Sequence, residues 1–158
     1  MSSQHVRRAR FVRVREQLAE LIAKTDDPLA HRATAAALLH YKTSGASWTG
    51  FYMLRGGELM VDAYQGPVAC LVLAPHTGVC WAAIDRRETL LVPDVHAFPG
   101  HIACDSRSRS EVVVPIFGAD GKPVGVLDID SHRPDAFDEV DREGYEAIVR
   151  LLESRWNA

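Results

Sequence analysis

The spacing of apolar positions changes character twice along the chain. In residues 6–24, Phe11, Val14, Leu18 and Leu21 recur at helical spacing, with Arg10, Arg13, Glu16 and Glu20 mostly turned outward. This predicts an amphipathic helix. Asp26-Asp27-Pro28 stops it and caps a second, alanine-rich helix to about Thr43, which Ser44-Gly45 ends. From Ser47 the pattern shortens to β-rich runs, WTGFYML at 48–54, ELMVDAY at 58–64 and ACLVLA at 69–74. Gly56-Gly57 and Gly66-Pro67 separate them, so they read as an antiparallel meander. A short helix is expected from Gly78 to about Arg87, and a brief strand at 90–92. Two further strands, EVVVPIF at 111–117 and PVGVLDID at 123–130, flank a GADGK turn. Asp138 caps a last helix whose Tyr145, Ile148 and Leu152 share a face. Helices at both ends of a mostly antiparallel sheet define an α+β domain with the terminal helices packed on one face.

Composition narrows the reading. A chain of 158 residues, 47% hydrophobic and 25% charged, has the length and balance of one globular domain rather than a disordered chain. A net charge of −3 argues against nucleic acid or any other general polyanion as partner. The N-terminus carries arginines but no apolar run of signal-peptide or membrane-span length, which leads us to expect a cytoplasmic protein.

Side-chain alternation brings candidate chemistry together in the last hairpin. With Asp120-Gly121 as a two-residue turn, paired residues sum to 241, setting Glu111 opposite Asp130 and Val113 opposite Asp128. Glu111, Asp128 and Asp130 then share one sheet face, the two aspartates about 7 Å apart. Like charges so placed need water, a cation or a shared proton. Val124 and Val126 lie on the same face, so it is polar at one end alone, as in a pocket wall.

Cys70, Cys80 and Cys104 are three cysteines without a C-x-x-C pair, which fits neither a disulfide scaffold nor a zinc ribbon. Cys104 stands in the run HAFPGHIACDSRSRSE at 96–111, where the residues from Pro93 to Ser110 show no clear period; long loops of this kind are usually functional or disordered. Folded over the hairpin, that loop would set a nucleophilic thiol beside a carboxylic acid able to donate a proton, a redox or acyl-transfer site. A metal site built from His96, His101, Cys104 and Asp105 is a rival, although the spacing matches no common zinc pattern.

The run PDVHAFPGHIACDSRSRSEVVVP, followed by GVLDIDS at 125–131 and preceded by SWTGFY, YQGPVAC and GVC, closely resembles the free methionine-(R)-sulfoxide reductases, single GAF-fold enzymes. The likeness runs from about Trp48 to the last helix. It implies that Cys104 is the catalytic cysteine, that Cys70 is the resolving cysteine forming a disulfide with it, and that Cys80 is a third cysteine of less settled role. It further implies Glu111, Asp128 and Asp130 as substrate-binding carboxylates, Glu111 also as the acid, and Trp48 and Tyr52 as aromatic pocket walls. The implied partners are free methionine sulfoxide, thioredoxin or a similar dithiol, and a second copy in a homodimer; no metal or other cofactor is called for. The chain departs from the family pattern at Trp81, at Pro75-His76 and at Asp62-Ala63-Tyr64. GAF folds also serve as sensory modules, which gives the non-enzymatic alternative.

Overall fold

The computed structural model describes residues 2–43, 45–101 and 104–156; Ser44, Ile102 and Ala103, part of the helix stop and of the cysteine motif, lie outside the described residues. The chain begins with α1 (Ser3–Ile22) and α2 (Pro28–Lys42), continues through β1 (Trp48–Arg55), β2 (Glu58–Gln65) and β3 (Val72–Leu73), and enters α3 (Gly78–Arg86). It then forms β4 (Leu90–Val92), a 3-10 turn (Val95–Ala97), β5 (Ser110–Phe117), β6 (Pro123–Ser131) and α4 (Glu139–Trp156). The strands make one antiparallel sheet in the order β3-β2-β1-β6-β5-β4. The expected α+β arrangement holds.

Local chemistry explains the helix ends. Asp27 caps α2 by accepting from the Leu29 amide at 2.9 Å, with Pro28 in the first turn, where a missing N–H costs nothing. Asp138 accepts from the Val140 amide at 3.0 Å while Asp141 accepts from the Asp138 amide at 2.9 Å, a reciprocal cap on α4. Arg7 of α1 reaches both carboxylates and ties the first helix to the last.

The sheet divides the interior in two. On one face, Phe51, Val112, Val114, Ile116, Leu127 and Ile129 pack against α1, α2 and α4 through residues such as Leu18, Leu39, Tyr145 and Leu152. On the other, Trp48, Tyr52, Val113 and Val126 pack against α3. Strand alternation therefore assigns one set of side chains to the helix layer and the other to the candidate site.

Three expectations are corrected. Ile22, 2% exposed, takes the inward place expected of Leu21, which is 36% exposed; the step from Leu18 is four residues, not three. The run at 69–74 yields only the two-residue β3, because Gly66 to Cys70 crosses over the site instead of extending the ladder. The last hairpin does not turn on two residues. Gly118 pairs with Lys122, Gly121 closes onto the Gly118 carbonyl at 2.9 Å with φ +77°, and Phe117 sits opposite Pro123. A register shift at Val124 then restores the sum of 241 from Ile116 down to Ser110.

Candidate active site

That restored register sets Glu111 opposite Asp130 and Val113 opposite Asp128, as the alternation required. On the other side of β6, Trp48 faces Asp130, Gly50 faces Asp128 and Tyr52 faces Val126. Neighbouring strands thus deliver three carboxylates and two aromatic rings to one face. A pocket there is lined by these residues together with Ala69, Gly78, Cys80, His101, Cys104 and Ser108.

Glu111 and Asp128 are each 5% exposed, too deep for both to ionise side by side. Burial first, and then the charges of its neighbours, pushes the carboxyl of Glu111 well above the ordinary range. Asp130 is raised for the same reasons. Burial lifts Asp128 to about 6, opposed by hydrogen bonds from Glu111 and Cys80. A proton shared between Glu111 and Asp128 lets the cluster persist, the hydrogen bond between them raising Glu111 and lowering Asp128.

Cys80, on the first turn of α3, is a free buried thiol whose Sγ donates to Glu111 Oε1 at 3.9 Å. Burial, reinforced by the neighbouring carboxylates, holds it protonated. Cys70 and Cys104 are joined as a disulfide with Cα atoms 5.5 Å apart, although they are 34 residues apart in sequence. The bond lies at the pocket wall, and the Tyr52 hydroxyl donates to the Cys70 carbonyl at 3.3 Å.

Further polar groups position the loop. Asp105 accepts from the Arg107 amide at 3.0 Å and its guanidinium at 3.1 Å, and pairs with His132 beyond β6 at 3.0 Å, which together hold its carboxyl down to about 2. Arg109 donates its amide to the Ser131 carbonyl at 2.8 Å. The loop after Cys104 is thereby tied to the end of the strand that carries Asp128 and Asp130.

The rival metal grouping does not assemble. Cys104 is in the disulfide, Asp105 is engaged by Arg107 and His132, and the His96 and His101 rings lie 6.2 Å apart edge to face. The described residues with metal-ligand spacing are instead Cys80, Glu111 and Asp128, all within 4.8 Å of one another and already hydrogen-bonded among themselves.

Two contributors, Tyr64 and Gly50, escaped the sequence. Trp48 is stacked on Tyr52 at 5.7 Å and on Tyr64 at 5.2 Å between ring centres, so two rings hold the indole in place. Gly50 makes this possible, since a Cβ there would overlap Tyr64 and come within 2.6 Å of Trp48 Cη2. The signal was present in alternation: 48, 50 and 52 share a face, and a glycine between two aromatics marks space taken by a neighbour. Trp48 Nε1 and Asp128 Oδ1 are buried without a hydrogen-bond partner among the described residues, so the site holds a donor and an acceptor that a ligand would satisfy.

A sheet backed by three helices, with a pocket on the face under α3, is the architecture of GAF domains, and a GAF-domain profile matches residues 12–154. The Escherichia coli protein named free methionine-R-sulfoxide reductase is 38% identical, over 84% of this chain and 80% of that protein. The Saccharomyces cerevisiae protein of the same name is 45% identical over 67% of this chain; the match spans 61% of that longer relative. The X-ray structure of free methionine-R-sulfoxide reductase from Neisseria meningitidis, in complex with its substrate, superposes with a TM-score of 0.91 at 38% identity, covering 99% of this chain and 92% of that one. The chain belongs to the GAF-domain family of free methionine-R-sulfoxide reductases.

Proposed function

We propose that this protein reduces free methionine-(R)-sulfoxide to methionine, using Cys104 as nucleophile and Cys70 as resolving thiol. The observation that carries the reading is the Cys70–Cys104 disulfide at the wall of a pocket built on Glu111, Asp128 and Asp130. With the disulfide reduced, the Cys104 thiolate attacks the sulfoxide sulfur. Glu111, held protonated by burial, delivers its proton to the oxygen. In the resulting sulfurane the hydroxyl passes from the methionine sulfur to Cys104 Sγ as the new bond between the two sulfurs breaks, so that methionine departs with that electron pair and Cys104 is left as a sulfenic acid. The Cys70 thiol then displaces that oxygen as water, closing the disulfide, and an external dithiol such as thioredoxin reopens it.

Specificity for the free amino acid follows from charge. Asp128 and Asp130 receive the ammonium group, which a residue inside a polypeptide lacks. The α-carboxylate goes to the first N–H groups of α3, which borders the same pocket and has no side-chain cap at Thr77. Trp48, stacked against two tyrosines, confines the S-methyl group and selects the epimer. Cys80 serves here as a hydrogen-bond donor to the carboxylates and stays outside the redox couple.

Separated R and S epimers of free and peptide-bound methionine sulfoxide, assayed with dithiothreitol, test the proposal. Turnover of the free R epimer is expected. Binding without turnover would leave a sensory module, and a preference for the S epimer or for the peptide would overturn the specificity.

A further inference from the structure

The segment that carries Cys70 also carries an apolar surface, of which Val68 borders the pocket while Leu71 and Val72 lie outside its lining. Val68 is 84% exposed, Leu71 75% and Val72 46%, within two residues of the disulfide on either side. Leu29, also exposed, stands on a helix as an isolated position of the ordinary kind. Here they are consecutive with β3, the end strand of the sheet, whose outer side pairs with no strand among the described residues. Such an edge is normally guarded by charge or by a covering element. From Gly66 to Pro75 there is no charged residue at all.

We propose that Leu71 and Val72, with Val68 beside them, form the docking surface for the protein dithiol that reopens the Cys70–Cys104 disulfide; this rests on the reductase reading above. An extended segment of the partner adds along the free edge of β3, a recognition mode that needs backbone groups and a few apolar contacts. The occupant is a transient one, because a strip of three side chains is far below the roughly 1,000 Å² that a stable interface requires, whereas redox encounters use small contacts. Docking beside Cys70 directs the chemistry. The partner's thiolate attacks Cys70 Sγ, the Cys70–Cys104 bond breaks, and Cys104 leaves as a thiolate while a mixed disulfide forms at Cys70. The partner's second thiol then displaces Cys70, which regains its proton. Two electrons have passed, the partner ends as a disulfide, and Cys104 is left in the state that the next substrate needs.

The test is the double variant Leu71→Asn/Val72→Thr, at positions outside the pocket lining. Turnover of free methionine-(R)-sulfoxide is measured against increasing thioredoxin and, separately, with dithiothreitol, alongside sedimentation of both proteins. The expected result is a fall of about tenfold in kcat/KM for thioredoxin with the dithiothreitol rate within about twofold of wild type. Equal losses with both reductants would overturn the proposal, since the strip would then support the fold or the pocket. So would an unchanged thioredoxin response, or a shift from dimer to monomer, which would make the strip a contact between copies. A wild type inert with dithiothreitol would overturn the reductase reading and the strip with it; an active wild type with an unaffected variant would overturn the strip alone.

Discussion

At the scale of single residues, Asp128 is one of three buried carboxyls whose ionisation the site makes costly. Its carboxyl is raised by burial to about 6, against about 4 in an unfolded chain. The folded state therefore holds the proton more tightly, so this group stabilises the fold below about pH 4 and loses that contribution as the pH rises through about 6. Replacing Asp128 with Asn removes the charge without changing the shape. Thermal unfolding at pH 8 should show the variant more stable by about 2–3 kcal/mol, a gap that closes near pH 4. The same variant should lose the acidic limb near pH 6 in kcat/KM, because that limb reports the carboxylate that receives the ammonium group. Gly50 is the opposite kind of residue, needed for what it lacks. Gly50→Ala should cost about 1–3 kcal/mol through overpacking and should raise KM more than it lowers kcat, since it displaces the Trp48 ring rather than the thiol. The carboxylates were legible in the sequence because β alternation has a period of two and one register fixes all three. Tyr64 was not, because stacking across β1 and β2 depends on a bulge between Gly50 and Tyr52 that no local pattern announces.

At the scale of elements, the last hairpin shows how a wrong turn can leave a right site. The three-residue loop around Asp120 and the shift at Val124 cancel, so the pairing from Ile116 to Ser110 is what a two-residue turn would give. The core side of β6 enforces this, because a one-residue slip would carry Leu127 and Ile129 out of the helix layer. The short β3 was less readable, since the apolar run ACLVLA has strand composition but is drawn across the pocket by the link from Cys70 to Cys104. Helix α4 offers an elemental test. Asp138 is both its cap and an anchor for Arg7, so Asp138→Ala should lower stability by about 1–2 kcal/mol in a denaturant titration and leave KM unchanged. A large change in KM would mean that the helix layer and the pocket are not separated by the sheet as described.

At the scale of the whole molecule, the sheet divides labour: one face packs against α1, α2 and α4, the other carries a smaller apolar cluster and the acidic pocket beside α3, and the loop after Cys104 is tied to Ser131 and His132. Contacts between Cys70 and Cys104 span 34 residues and belong to tertiary structure, which is why the residues alone nominated a thiol near carboxylates while the pairing came from family likeness. Among the described residues, no helix is long and apolar enough to cross a membrane. The most direct measurement begins with the fully reduced protein and one equivalent of free methionine-(R)-sulfoxide, without reductant, followed by mass mapping of the cysteines and quantification of methionine. One equivalent of methionine with a new Cys70–Cys104 disulfide, and Cys80 still a thiol, is the predicted result. Methionine formed with Cys80 in the bond, or a Cys104→Ser variant that reduces the sulfoxide as well as wild type, would contradict the account.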